Sequence, residues 1–481
     1  MAEAKTLLIS MLLSLLLLLL LTISIEEVQC LQHKAVYSVK KLQWRKLSHT
    51  LKCHPQKSRR DKGSLTLEMK HCDYCSEKTQ TWDKVIRNRL ISDNSRVHYL
   101  QAKIKKQVPG KMVYSTKDEI PLYSGVKLLT LNYIITLQLG KRNMTVLVDT
   151  GSDLTWVQCD PCKLCYSQQD PILNPGLSRS YKSVACNSSS CQSLEGATGF
   201  AGVCGADQKN SCNYVVNYGD GSYTRGELGR ERLYVGKTYV KDFVFGCGRN
   251  NKGLFGGASG ILGLGRINLS LISQTYKKFD GVFSYCLPST EVDSSGSLTF
   301  GRDASVYKNS TPISYTKMIS NPEPSTFYFL NLTGFSIGGV AIQAPGFATG
   351  RTLIDSGTVI SRLVPSVYNA LKTEFLKQFS GYPTAPSYSI LDTCFNLSAY
   401  ENVNIPTLNM HFEDTVKVNV DVLGMFYFAK DDASQVCLAL ASLSSEDEVG
   451  IIGNFQQRNL RIVYDTKKSN VGFAEEACSY T

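Results

Sequence analysis

Histidine is almost missing from most of this chain. Six occur in 481 residues, and five of them (His33, His49, His54, His71 and His98) come before residue 110. A Ser–His–Asp or Cys–His nucleophile system needs an imidazole to take the nucleophile's proton, and a His-rich metal site needs several imidazoles. Neither can be assembled from a body that holds only His411, which reads as a strand residue in Leu408-Asn409-Met410-His411-Phe412. A net excess of either charge is also missing after residue 110. Residues 31–110 carry 19 Lys/Arg against 6 Asp/Glu, residues 1–30 carry a net −2, and the remaining 371 sum to about zero within the total of +11. A nucleic-acid or anionic-surface partner would therefore have to use that one basic block, giving a nucleic-acid-associated protein as a rival reading. Its basic residues are scattered among polar and apolar ones rather than set on an aromatic platform, so no nucleic-acid partner is expected. The polar C-terminus Ala477-Cys478-Ser479-Tyr480-Thr481 gives no lipid-anchor tail. No cofactor and no metal are implied.

What is present points to β structure. With 43% apolar residues the chain can bury a large core, and 25 Tyr, 19 Phe and 37 Gly favour strands and tight turns. Residues 7–23 (LLISMLLSLLLLLLLTI) form a Leu-rich run after a short region containing Lys5, so residues 1–24 read as a secretory signal peptide with an uncleaved signal anchor as the alternative. The basic block follows over 25–115. Within it Ile86, Leu90, Val97, Leu100 and Ile104 recur near helical spacing until Pro109-Gly110, predicting an amphipathic helix. Cys53-His54 and His71-Cys72-x-x-Cys75 look superficially like a zinc site, but behind a signal peptide disulfides or free thiols are the better reading; the roles of Cys30, Cys53, Cys72 and Cys75 stay open. From Tyr133 onward, short apolar runs broken by Gly, Asn, Asp and Pro every 8–12 residues describe an all-β body. Twelve of the 16 Cys lie there, an even number that favours six disulfides, and seven crowd into 159–212 as a stapled insertion with little core of its own. Sequons at Asn143, Asn187, Asn268, Asn309, Asn331 and Asn396 suit a secreted glycoprotein.

One phrase is written twice. Leu147-Val148-Asp149-Thr150-Gly151-Ser152 returns 206 residues later as Leu353-Ile354-Asp355-Ser356-Gly357-Thr358. In each, an apolar pair ends a buried strand, a glycine lets the backbone turn close to the carboxylate, and flanking hydroxyls can donate to its oxygens. Each half also carries a later apolar-apolar-Gly segment, Ile261-Leu262-Gly263 and Ile451-Ile452-Gly453. A single copy is an ordinary Asx-turn at a strand end. Two copies in matching positions describe an internally repeated device that holds an acid at the mouth of a core.

These motifs, with Asp153-Leu-Thr-Trp156, Tyr218-Gly-Asp-Gly-Ser-Tyr-Thr224, Gly260-Ile-Leu-Gly-Leu-Gly265, Gly450-Ile-Ile-Gly-Asn454 and Val463-Tyr464-Asp465, resemble the pepsin-like aspartic proteases over about residues 127–481, in particular their nepenthesin-like plant branch. The basic block resembles that family's propeptide, including Asp93-x-x-Arg96-x-x-Tyr99-Leu100. The resemblance implies a bilobal, all-β fold with a pseudo-two-fold axis, an N-terminal lobe over 125–320 and a C-terminal lobe over 321–481. Asp149 and Asp355 are then the catalytic pair, activating a water between them for hydrolysis of protein or peptide substrates. Thr150, Gly151, Ser152, Ser356, Gly357 and Thr358 support the pair. Tyr218, Gly219, Asp220 and Gly221 form a flap bonded to Trp156. The family's disulfide order implies Cys159–Cys162, Cys165–Cys247, Cys186–Cys212, Cys191–Cys204, Cys286–Cys478 and Cys394–Cys437. A segment of net +13 beside carboxylates is expected to inhibit its own body at neutral pH and let go in acid, with maturation between Lys106 and Ser124. The expected product is a monomer without a membrane anchor, outside the cell or in a vacuole. A catalytically silent, protein-binding relative is the competing function, set against an intact Asp pair and flap.

Overall fold

The computed structural model describes residues 34–42, 57–61, 64–71, 82–106 and 133–478, except for 205–209, 219–220, 237, 254, 256, 289–294, 303–309 and 321–325. The signal sequence, Cys30, Cys53, Cys72, Cys75, Asn309, Gly219, Asp220 and most of the expected maturation segment lie outside the described residues.

Strands dominate, arranged in a sixteen-stranded sheet, an eight-stranded sheet and two smaller ones. The elements that position the site are β1 (Ser64–His71), α1 (Trp82–Lys106), β2 (Tyr133–Leu139), β3 (Arg142–Asp149), β4 (Gly260–Gly263), β5 (Arg351–Ile354) and β6 (Gly450–Ile452). β2 and β3 form an antiparallel hairpin, and β4 lies parallel to β3 with Ile261 opposite Leu147 and Gly263 opposite Asp149. The second half repeats this arrangement: β6 runs parallel to β5, with Ile451 opposite Leu353 and Ile452 opposite Ile354. Parallel strands buried on both faces are expected to read as continuous apolar runs, as both repeats do. The two halves also share a sheet, because strands Leu460–Asp465 and Asn470–Glu475 return to pair beside Val282–Cys286.

The basic block is woven into this frame. β1 pairs with Gly296–Phe300 on one side and meets β2 on the other, through Lys70 opposite Ile134 and His71 opposite Tyr133. Leu65, Leu67 and Met69 are fully buried there. α1 forms where helical spacing predicts it. Leu90, Val97, Leu100 and Ile104 are all buried, with Val97, Leu100 and Ile104 in the main core and Leu90 packed with Val359, Ile360 and Tyr388 of the second half. His411 lies in strand Leu408–Phe412, as expected, where its Nε2 meets Ser336 Oγ at 2.9 Å.

The disulfides correct four expected pairings. The structure joins Cys159–Cys247 and Cys162–Cys165, not Cys159–Cys162 and Cys165–Cys247. Cys159 follows strand Trp156–Gln158, which lies parallel to the strand carrying Cys247, and its N–H donates to the Gly248 carbonyl. That register places Cys159 beside Cys247, leaving Cys162 and Cys165 to close their own short loop. The structure also joins Cys186–Cys204 and Cys191–Cys212, not Cys186–Cys212 and Cys191–Cys204. Cys191 and Cys212 are both buried against Tyr214 and Leu194, whereas Cys204 is exposed. Cys286–Cys478 and Cys394–Cys437 form as expected. The insertion also has more core than its composition suggests: Val184, Cys191, Leu194 and Ala197 pack in one cluster with Leu147 and Trp156. Among the described sequons, Asn143, Asn187, Asn268 and Asn396 are exposed, while Asn331 is half-buried and its amide donates to Glu413.

Candidate active site

Asp149 ends β3, Asp355 directly follows β5, and both are completely buried. Their surroundings repeat atom by atom. The Gly151 N–H donates to Asp149 Oδ1 at 2.9 Å and Ser152 Oγ to Asp149 Oδ2 at 2.7 Å. The Gly357 N–H donates to Asp355 Oδ1 at 3.1 Å and Thr358 Oγ1 to Asp355 Oδ2 at 2.6 Å. The two loops are cross-linked: the Thr150 N–H donates to Ser356 Oγ at 3.2 Å, and the Ser356 N–H to Thr150 Oγ1 at 2.9 Å. Neither glycine can gain a side chain. A Cβ on Gly151 would stand 2.8 Å from Asp355 Oδ1, and one on Gly357 would stand 2.6 Å from Asp149 Oδ1. The sequence repeat therefore becomes a symmetric cradle that presses two carboxylates against each other.

A cation fills the space between them. Arg96, from the middle of α1, donates from Nη2 to Asp149 Oδ1 at 2.6 Å and to Asp355 Oδ1 at 3.0 Å, and from Nε to Asp355 Oδ2 at 3.0 Å. Burial pulls its pKa down, but the two carboxylates together outweigh burial and hold it above the ordinary arginine value. Asp355 stands above the usual carboxylate range because burial is the largest influence; Arg96 opposes it and the charge of Asp149 adds to it.

Tyr218 lies at the near end of the Gly-rich hairpin, where its hydroxyl accepts from Trp156 Nε1 at 2.8 Å. Gly221 closes that turn at φ +79°, with its N–H donating to the Tyr218 carbonyl. Phe255, which carried no motif in the sequence, packs edge-on to both Trp156 and Tyr218, with ring centroids at 4.9 and 5.7 Å. A crevice beside the dyad is lined by Arg96, Tyr99, Lys103, Asp149, Ser152 and Tyr218, among others. Burial pushes the Tyr99 hydroxyl up to about 12, against the pull of Arg96. Below it, burial raises the Asp153 carboxyl to about 6, opposed by Lys103.

Three further anchors hold α1 across both lobes, and the sequence motif gave only part of this. Asp93 accepts from the Val359 and Ile360 N–H groups at 2.6 and 3.2 Å and from Arg362 at 2.9 Å. Gln101 exchanges two hydrogen bonds with the Val449 backbone at 2.7 and 3.0 Å. Lys103 lies over the Phe327 ring at 5.2 Å, and its Nζ donates to the Ala197 carbonyl of the first half at 3.5 Å. The i, i+3 spacing of Asp93 and Arg96 signals that they share a helix face. It does not say what that face meets.

A two-lobed β frame in which each half presents an Asp-hydroxyl-Gly-hydroxyl loop to the other defines the class of a pepsin-like aspartic protease. Family models agree: one described as xylanase inhibitor N-terminal matches residues 133–302, and one described as xylanase inhibitor C-terminal matches 327–475. Among curated relatives, an aspartyl protease family protein of Arabidopsis thaliana is 43% identical over 397 residues, covering 81% of this chain and 82% of that protein. Aspartyl protease AED1 of Arabidopsis thaliana is 37% identical over 436 residues, with 89% of each covered. Aspartic proteinase nepenthesin-1 of Nepenthes gracilis is 36% identical over 358 residues, covering 72% of this chain and 78% of that one. The chain belongs to the pepsin-like aspartic protease family, in the plant branch that includes the nepenthesins. The solved structure of basic 7S globulin from soybean shares the fold at TM-score 0.57 and 21% identity, covering 72% of this chain and 91% of that one. Among the described residues, no helix is long and apolar enough to cross a membrane.

Proposed function

We propose that the protein is an aspartic endopeptidase made as an inactive precursor, which enters the secretory pathway and becomes active in acid. The observation that carries this reading is the buried Asp149–Asp355 pair, complete in its mirrored hydrogen-bond shell and capped by Arg96. As is general for aspartic proteases, two carboxylates pressed together share a proton. With Arg96 withdrawn, a water takes its place between them. The ionised member removes a proton from that water while the protonated member polarises the scissile carbonyl and then protonates the leaving amine. Thr150 and Ser356 hold the loops in register, and Tyr218 closes over the substrate to exclude water.

Arg96 is also what makes the described form inactive, because its guanidinium occupies the water's position and pairs with both carboxylates. The pairing needs charged partners. Arg96 favours the ionised form of Asp355, so by reciprocity protonation of the dyad weakens the grip of Arg96. The protein then cuts between Lys106 and Ser124 and works on protein substrates as a monomer.

The test is acidification of purified full-length protein with mass spectrometry, alongside Asp149→Asn and a pepstatin-treated sample. The wild type is expected to shed its N-terminal block and digest a denatured protein, while both controls stay whole. A wild type that remains folded and cuts nothing would favour a silent, protein-binding role, a reading kept open by the family models' xylanase-inhibitor description.

A further inference from the structure

Asp93 occupies a site that α1 does not build. Its two carboxylate oxygens take the Val359 N–H at 2.6 Å, the Ile360 N–H at 3.2 Å and Arg362 Nη2 at 2.9 Å. Every one of these donors belongs to the C-terminal lobe, in the segment that directly follows the Asp355 loop. The segment is fixed from behind without help from α1. The Asn454 and Phe455 N–H groups donate to the Thr358 and Val359 carbonyls, and the Ser361 hydroxyl and N–H both reach Gln456 Oε1. Arg362 is 2% exposed at its side chain, and Asp93 is its one ion-pair partner among the described residues. When α1 leaves, the lobe retains two aligned N–H donors and a guanidinium that keeps its bond to the Ile360 carbonyl at 2.8 Å but loses that ion-pair partner. Buried donors and an unpaired buried cation are costly, so such a site selects an anion to refill it.

The place of the site says which anion. Asp93 lies one helical turn from Arg96, about 4.5 Å along the axis. Val359 follows Thr358, whose hydroxyl holds Asp355. An occupant therefore sits next to the dyad, within the stretch an extended substrate must cover. We propose that this pocket is a substrate subsite for a carboxylate side chain, so that the processed enzyme selects Asp or Glu at one fixed position close to the scissile bond. Asp93 is then the precursor's own imitation of that side chain, just as Arg96 fills the place of the water. The proposal rests on the protease reading.

The experiment uses the acid-processed wild type and pairs of peptides that differ only by Glu or Gln at each position in turn. All are C-terminally amidated, so that a side chain is the sole carboxylate. Charge-assisted hydrogen bonds of this kind correspond to a preference of at least about 10-fold. At one position kcat/KM is expected to favour Glu by that factor at about pH 5, with the ratio shrinking at about pH 3, where Glu is largely protonated. Arg362→Gln is expected to bring the ratio close to one, and Arg362→Lys, which keeps the charge but loses the fork, to an intermediate value. A flat profile in the wild type overturns the subsite whether or not the variants fold, as does a Glu preference that survives in Arg362→Gln. If neither member of any pair is cut and the precursor keeps its N-terminal block, the protease reading falls and the subsite falls with it. Cleavage with a flat ratio removes the subsite alone.

Discussion

Arg96 and Asp153 place opposite demands on pH, and both can be tested by single substitutions. Arg96 stabilises the described form only while it faces an ionised carboxylate, so its contribution is present near neutral pH and is lost as Asp355 protonates. Arg96→Gln should therefore destabilise the precursor more at pH 7 than at pH 4, and should let processing begin at pH values where the wild type is stable. A mass-spectrometric time course across that range checks this; an unchanged pH of onset would remove Arg96 from the role of latch. Asp153 runs the other way. Its folded pKa, raised by burial to about 6, lies above the ordinary value of 3.8. The stability it contributes is therefore fully present below about pH 3.8 and lost as pH rises through about 6. A gap of this size corresponds to about 3 kcal/mol. Replacing it with the neutral Asp153→Asn keeps the shape and removes the charge. The substitution should cost less at pH 7 than at pH 4, a difference in which pH-independent packing effects cancel. Thermal unfolding of both proteins at the two pH values measures it, and equal costs would show that Asp153 is not titrating across this window.

At the scale of elements, what could be read from the sequence is what local chemistry decides. The two Asp loops, the parallel apolar-Gly strands behind them and the helix over Leu90–Ile104 all carry their signal within about 20 consecutive residues, so each appears where expected. The disulfide order does not. Cys159, Cys162 and Cys165 are evenly spaced, and only the alignment of strand Trp156–Gln158 with Gly246–Gly248 decides which of them meets Cys247. β1 was equally hidden, because pairing with Gly296–Phe300 joins residues more than 200 apart. Phe255 belongs with these long-range features: its neighbours Trp156 and Tyr218 come together only when the sheet folds. Trp156 therefore has two functions, and Trp156→Phe separates them. The apolar ring that meets Phe255 is retained, while the Nε1 donor to Tyr218 is lost. Losing one such hydrogen bond corresponds to about 2- to 10-fold in kcat/KM if the flap's closed position depends on it. Steady-state kinetics on a soluble peptide measures this, with near-wild-type thermal stability as the sign that packing survives. A larger loss in stability than in kcat/KM would make Trp156 a core residue first.

At the scale of the whole molecule, the basic block is held in two ways that differ in chemistry. α1 buries Leu90, Val97, Leu100 and Ile104, but it adds charged anchors: Arg96 on the dyad, Asp93 on Arg362, and Lys105 on Asp447 at 3.4 Å. The contact of Arg96 with the dyad responds to pH through Asp355. β1 is held by backbone ladders on both sides and by fully buried Leu65, Leu67 and Met69, which do not titrate. Burying three such side chains is worth about 6 kcal/mol before the ladders are counted. Acid should therefore loosen α1 and open the dyad while β1 stays in place, so that cutting the chain and losing the N-terminal fragment are separate events. Size-exclusion chromatography at acid pH, soon after cleavage, should return a nicked complex in which the fragment containing residues 64–71 elutes with the body. Denaturing mass spectrometry of the same fraction should show two chains. Substituting Leu67→Asp places an unpaired carboxylate in that buried strand and should speed loss of the fragment without moving the pH at which the dyad opens. A fragment that leaves the wild type as soon as the chain is cut would mean that β1 depends on α1, and that the precursor comes apart as one unit.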